Sequence, residues 1–316
     1  MSGARPEEGF WSGREVTVTG GAGFLGRPTV GMLEELGASV RVVRSADHDL
    51  RDADASRAAL RGAETVIHLA ARVGGIGYNR RNPAPLAHDN VVMGANVFEA
   101  CRELGVQKLV AACSVCAYPN HARVPFREAE IWDGFPEPSN APYGVAKRLL
   151  LVLSDSYRRQ YGLDSNAPVI ANLYGPGDNF DLEDSHVIAA LVRKYVEAAE
   201  RGEERVVLWG TGEPTREFLH VDDAARALLL ACERCDSSEP INIGTGTETR
   251  IRDLAEIISR LAGFEGETVW DASRPDGQPR RYLDVSRARE RIGFKARVPL
   301  EEGLRQTVES FRATVA

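Results

Sequence analysis

Short apolar runs alternate with helix-period stretches through the first half of the chain. The strand candidates are Glu15–Thr19, Val40–Arg44, Thr65–Leu69 and Lys108–Cys113. Between them lie helical patterns over Arg27–Leu36, Ser56–Leu60 and Leu86–Leu104. Runs such as VIHLA and LVAAC place apolar side chains at consecutive rather than alternating positions, as a strand covered on both faces requires. This rhythm predicts an α/β fold, a doubly wound parallel sheet with helices packed on each side. A long helix is expected from Tyr143 to Tyr161, followed by another apolar strand over Pro168–Leu173.

After Gly175 the pattern changes. GPGDNFDLEDSH is rich in turn formers, and the short strands VVLW, EFLHV and INI interleave with helices to the C-terminus. The expected organisation is a flexible lead over residues 1–14, a nucleotide-binding domain over 15–175, and a smaller α/β substrate lobe over 176–316. That last lobe is woven from several late segments, so its border is approximate.

The length of 316 residues and the 43% hydrophobic content are ample for a core. A formal charge of −7 argues against nucleic acid or an anionic membrane as the main partner. The polar opening MSGARPEEGFWSG lacks the apolar centre of a signal peptide, and no stretch approaches the ~18 apolar residues of a membrane span. The expected location is the cytoplasm. Five cysteines, an odd number, suggest free thiols. Cys113/Cys116 ends an apolar strand, and Cys232/Cys235 sits at a helix end among charges. Neither pair has the turn glycine or flanking histidine that a metal knuckle uses, so no metal is expected.

Two motifs carry chemistry. VTVTGGAGFLGRPTV joins the first strand to the first helix, with Gly20, Gly23 and Gly26 in GxxGxxG spacing. One glycine permits a tight turn, one lets backbone approach a pyrophosphate, and one allows close helix–strand packing. The helix start then offers free N–H groups to phosphate. Because the turn opens a βαβ unit, it reads as a Rossmann-type dinucleotide site, with Phe24 and Leu25 at the helix entrance. The second strand ends in Arg44, which suits the 2′-phosphate of NADP; nearby Asp47 leaves NAD open. Asp49 and Leu50 lie where an adenine would be met. The second motif is Tyr143 and Lys147, the one tyrosine–lysine pair at i,i+4 among the eight tyrosines. Such a pair shares a helix face, and an ammonium there would lower the phenol pKa from about 10.

HLAARVGGI, CSVCAYP, NAPYGVAK, NLYGPGDNF, SHVIAAL, WGTGEPTREFLHVDD and PDGQPRRYLDVS together resemble the extended short-chain dehydrogenase/reductase family, and within it the GDP-L-fucose synthases. The resemblance runs from Glu15 to the C-terminus. It implies a homodimer joined through helices 86–104 and 143–161 and an NADPH-dependent epimerase/reductase acting on a GDP-4-keto-6-deoxyhexose, or alternatively a nucleotide-sugar epimerase holding NAD. Ser114 would orient the 4-keto group, Tyr143 donate a proton, and Lys147 tune the tyrosine and hold the nicotinamide ribose. Cys116 and His186 match the epimerising base and acid. Leu69, Ala70 and Ala71, with Tyr143, Lys147 and His186, would line the cofactor. Asn172, Arg193 or Lys194, Trp209, Arg216, Asp276 and Arg281 would meet the nucleotide-sugar. Three positions depart from the pattern. Ala22 stands where those synthases often carry an arginine, Val115 replaces a second serine, and Ala171 a threonine.

Overall fold

The computed structural model describes residues 3–182, 184–274 and 276–315. Five parallel strands form the central sheet, in the order Ser39–Val43, Glu15–Thr19, Thr65–His68, Lys108–Ala111, Asp164–Asn166. Helices Gly26–Glu35 and Val221–Arg234 pack against one another, as do Ala53–Leu60, Pro83–Leu104 and Ala141–Tyr161. The Thr65–His68 and Lys108–Ala111 strands are buried at every position, which accounts for their unbroken apolar sequences.

Two expected strands divide. Lys108–Cys113 breaks at Ala112: Lys108–Ala111 stays in the central sheet, while Cys113–Ser114 pairs with Val169–Ile170, which pairs in turn with Asn242–Ile243. Pro168–Leu173 likewise becomes Val169–Ile170 and Asn172–Tyr174, the latter beside Phe218–His220. Sheet twist carries an extended chain from one neighbour to the next, and Pro168 has no N–H to continue a ladder. The short edge strand Asp164–Asn166 completes the sheet; its three polar residues carry no apolar signal.

The segment expected as a flexible lead is packed. Helix Glu8–Trp11 places Trp11 at 0% exposure, its Nε1–H donating to Glu233 at 2.5 Å. Ala4 N–H donates to the Gly293 carbonyl at 2.9 Å, and its own carbonyl accepts from Arg226. Two aromatic side chains in a polar stretch leave no periodicity to read, yet one of them finds a core.

A second apolar core, including Tyr174, Tyr195, Leu208, Ile258 and Leu304, lies beneath the later segments. Among the described residues no helix is long and apolar enough to cross a membrane. Because the strands of the main sheet run parallel, their C-terminal ends share one edge, where ligands of such folds bind.

Candidate active site

The glycine turn stands at that edge. Gly20 has φ +71°, and a Cβ there would lie 2.7 Å from the Ala70 nitrogen. A Cβ on Gly26 would lie 2.2 Å from the Gly20 carbonyl oxygen. These two positions tolerate no side chain, while Gly23 is exposed. Leu69 N–H donates to the Thr19 carbonyl and Ala70 N–H to Thr19 Oγ1, so the Leu69–Ala71 backbone is laid along the turn. Phe24, Leu25, Leu69, Ala70 and Ala71 are all half-buried around it. Buried His68 supports the floor, its Nδ1 2.7 Å from Thr19 Oγ1. Burial, and then the charge of Lys147, pull its pKa down to about 3, so the ring is neutral. Bare backbone at a helix start fits a dinucleotide pyrophosphate.

The adenine end departs from expectation at Leu50. Arg44 is exposed just past its strand. Asp49, however, is clasped by Arg51 at 2.7 Å, which holds its carboxyl down at about 2. Leu50 is turned into the core at 4% exposure, and its carbonyl accepts from Ser56 and Asn96. The Leu50 side chain is therefore committed to the core, while Asp49 stays at the surface in its ion pair.

Ser114, Cys116, Tyr143 and Lys147 form one cluster. Pro142 lies in the first turn of helix Ala141–Tyr161, a position where its missing N–H costs nothing. One turn on, Lys147 is 4% exposed and its Nζ donates to the Ala112 carbonyl at 2.9 Å, at the point where the broken strand frees that oxygen. Burial lowers the Lys147 pKa to about 8, with the Cys113 thiol acting in the opposite sense. The ammonium lies 5.8 Å from the centre of the Tyr143 ring. The expected lowering of the phenol pKa is not what the geometry gives. Burial raises it well above its ordinary value, Cys116 and Cys113 add to the rise, and only the Ser114 hydroxyl opposes them. Burial thus favours the protonated phenol at Tyr143, while the Lys147 ammonium is turned to a backbone carbonyl.

Ser114 caps the short 3₁₀ turn Val115–Ala117, its Oγ accepting from Cys116 N–H at 3.2 Å. Gly144 lets the helix seat on that turn: a Cβ there would lie 2.3 Å from the Cys116 carbonyl oxygen. Sequence reasoning passed over Gly144, although a glycine in a helix interior is itself a sign of close packing.

Arg216 and Arg281 form a second cluster. Strand Thr215–Arg216 pairs in parallel with Arg280–Arg281, setting the two arginines directly opposite one another. Burial, and then the neighbouring Arg281, draw the Arg216 pKa down to about 10, with Asp276 partly offsetting them. Arg216 Nη1 donates to the Thr215 carbonyl, and the buried Nε of Arg281 has no hydrogen-bond partner among the described residues. His186 belongs here too. Its pKa is lowered by its protein surroundings and then by Arg281. It stands at the N-cap of helix Val187–Arg201, but its side chain makes no capping bond, so the ring is left for other work.

Glu217, unremarked in the sequence, ties this cluster together. It is 1% exposed, and its carboxylate accepts from the backbone N–H groups of Thr245, Gly246 and Leu283 at 2.5, 2.6 and 2.8 Å. An acid just before the apolar run FLHV was the signal available.

The remaining candidates divide. Asn172 Nδ2 donates to the Glu217 carbonyl at 2.9 Å. Trp209 is 70% exposed at a strand end, with Arg274 5.2 Å from its ring. Arg193 is instead paired with Glu197 at 2.7 Å, and Lys194 donates to the Val207 carbonyl at 3.1 Å. Asp276 accepts from Thr211 N–H and Oγ1–H at 2.6 and 2.7 Å. Helix-neighbour pairing and turn closure hold these three within the protein's own bonds. The two clusters are joined where Phe126 N–H donates to the Tyr282 carbonyl and Gln278 to that of Asn120.

Comparison with known proteins agrees with this arrangement. Residues 16–244 match the model of the NAD dependent epimerase/dehydratase family. The chain is 42% identical to a probable GDP-L-fucose synthase 1 of Oryza sativa subsp. japonica, covering 93% of this chain and 91% of the relative. It is 39% identical to the GDP-L-fucose synthase of Escherichia coli K12, with 95% and 97% covered. A crystal structure of a GDP-L-fucose synthetase from Naegleria fowleri bound to NADP superposes with a TM-score of 0.87 at 32% identity, over 96% of this chain and 93% of that one. The chain belongs to the NAD dependent epimerase/dehydratase family, and within it to the GDP-L-fucose synthase group.

Proposed function

We propose that the protein is a 3,5-epimerase/4-reductase of a GDP-4-keto-6-deoxyhexose that uses NADPH. The observation that carries the reading is the Tyr143 hydroxyl set against the Ser114 hydroxyl, with Cys116 on the adjoining turn and Lys147 buried one helix turn on. Ser114 and Tyr143 would hold the 4-keto oxygen by hydrogen bonds, and Tyr143 would deliver a proton as charge develops there. The same polarised ketone acidifies the hydrogens on C3 and C5. Cys116 and His186 would remove and return those protons, the His186 ring making no capping bond to its helix. A bound NADPH supplies the electron pair that reduces C4. Its pyrophosphate would lie along Gly20–Gly26, with the 2′-phosphate near Arg44. Arg216 and Arg281 fit the diphosphate of the sugar nucleotide, since each presents a fork suited to phosphate. Pairing of two copies through helices Pro83–Leu104 and Ala141–Tyr161 is supported by Val145 and Val152, 43% and 44% exposed on the second helix. The acidic chain with no membrane-spanning helix among its described residues is consistent with work in the cytoplasm.

The test is direct. Purified protein is mixed with GDP-4-keto-6-deoxymannose and NADPH, and the absorbance of the reduced nicotinamide is followed. Steady consumption with a fucose-configured product is expected. No consumption, with NAD released on denaturation, would replace this reading by a redox-neutral epimerase.

A further inference from the structure

A cavity of about 310 Å³, lined by none of the side chains assigned above to cofactor or substrate, lies between residues 244–249, helix Ser286–Ile292 and residues 294–300. Its walls carry Arg289, Lys295 and Arg297, all exposed, together with Thr245, Thr247 and Thr249. Phe218 and Phe294, both buried, form an apolar surface within it. Among the described residues no carboxylate lines it. In a chain whose net charge is −7, a concavity with cations alone is not an average piece of surface. Arg297 donates to the carbonyls of Gly3 and Ala4, which are neutral. Arg297 has its pKa lowered by burial and then by Arg226 and Arg5, with Asp223 acting in the opposite sense, so Arg289 and Lys295 are the cations left facing the cavity without a carboxylate in its lining.

We propose that this cavity is a second binding site, for a small sugar phosphate. Arg289 and Lys295, with Arg297 beside them, suit a dianionic phosphate. Threonine hydroxyls can donate to and accept from sugar hydroxyls, and the apolar surface suits the C–H face of a pyranose ring. The volume lies at the lower end of the roughly 300–1,000 Å³ typical of small-molecule sites, too small for a dinucleotide. The site also touches the substrate arginines indirectly. Thr245, in its wall, is bonded to Glu217, the residue following Arg216.

The test is calorimetric titration of the full chain, saturated with GDP, using a hexose 6-phosphate, inorganic phosphate and GMP as separate probes. Hexose 6-phosphate should bind with GDP present, and equally in Arg216→Ala. Its Kd should rise by about tenfold or more in Arg289→Glu/Lys295→Glu, as loss of charge-assisted contacts implies. Thr247→Val, which alters no charge, should weaken it by a smaller factor. Absence of binding under saturating GDP, or binding unchanged in Arg289→Glu/Lys295→Glu, overturns the site. Tighter binding of GMP or of inorganic phosphate than of the hexose phosphate overturns the assignment to a sugar phosphate.

Discussion

Lys147 and Arg216 are both cations set into protein without a carboxylate at hydrogen-bond distance, yet they reach that state by different routes. Lys147 is placed by one helix: its partner Tyr143 lies a turn away, and its ammonium is received by the Ala112 carbonyl. Arg216 is placed by a strand pairing that brings Arg281 from far along the chain to its side. The first cation has its charge partly satisfied by a backbone dipole. The second is pressed against another cation, which burial alone would not tolerate. A lone buried ammonium near a phenol serves proton chemistry, whereas two facing guanidinium groups call for an anion between them.

This contrast can be broken most sharply at Tyr143. Tyr143→Phe keeps the ring and removes the proton, so kcat should fall by roughly 10²–10⁴ with little change in KM. Retained turnover would remove Tyr143 from the chemistry. Next in size, Arg216→Ala or Arg281→Ala should each cost about 1.5–3 kcal/mol of substrate binding, the range for charged hydrogen bonds. The cost should be read as a higher KM with kcat nearly kept. If kcat falls as much as KM rises, the arginines are not merely holding an anion.

Gly144→Ala probes the seat between helix and turn. A methyl group 2.3 Å from the Cys116 carbonyl must push the two apart, costing about 1–3 kcal/mol in stability. Urea denaturation measures the stability, and exchange of substrate protons with deuterated water should slow as Cys116 moves. Normal exchange in a destabilised variant would separate Cys116 from that role.

The smallest effect is in pH. Lys147 titrates at about 8, below its ordinary value of 10.5, so the folded state disfavours its charged form. Its cost to stability is present in full below about 8 and is relieved as pH rises from there toward 10.5. The slope is at most about 1.4 kcal/mol per pH unit. Activity should move the other way, kcat/KM falling above pH 8 as the ammonium is lost. Urea titrations of the native chain and Lys147→Met across this range should differ in slope. Parallel curves would show that Lys147 does not titrate there.

Much of the first region was readable in advance. Glycines at a strand–helix junction have few other uses, and a tyrosine and lysine four apart must share a face once the segment is helical. The break at Ala112 was not readable, because LVAAC is equally apolar on either side of it. Yet that break supplies the carbonyl that receives Lys147. Gly144 and Glu217 went unremarked for a related reason. Each acts on a partner distant in sequence, the Cys116 turn in one case and three backbone N–H groups in the other. Arg193, Lys194 and Asp276 carry the right chemistry for a nucleotide, and their bonds to Glu197, Val207 and Thr211 are seen only in the structure.

Local chemistry along the chain determined the sheet, the dinucleotide turn and the tyrosine–lysine pair, because each depends on residues within a few turns or strands of one another. Tertiary structure alone decided that Arg216 faces Arg281, that Trp11 is buried rather than loose, and that Tyr143 keeps its proton. Those outcomes depend on which distant groups share a desolvated space, and sequence spacing carries no record of that.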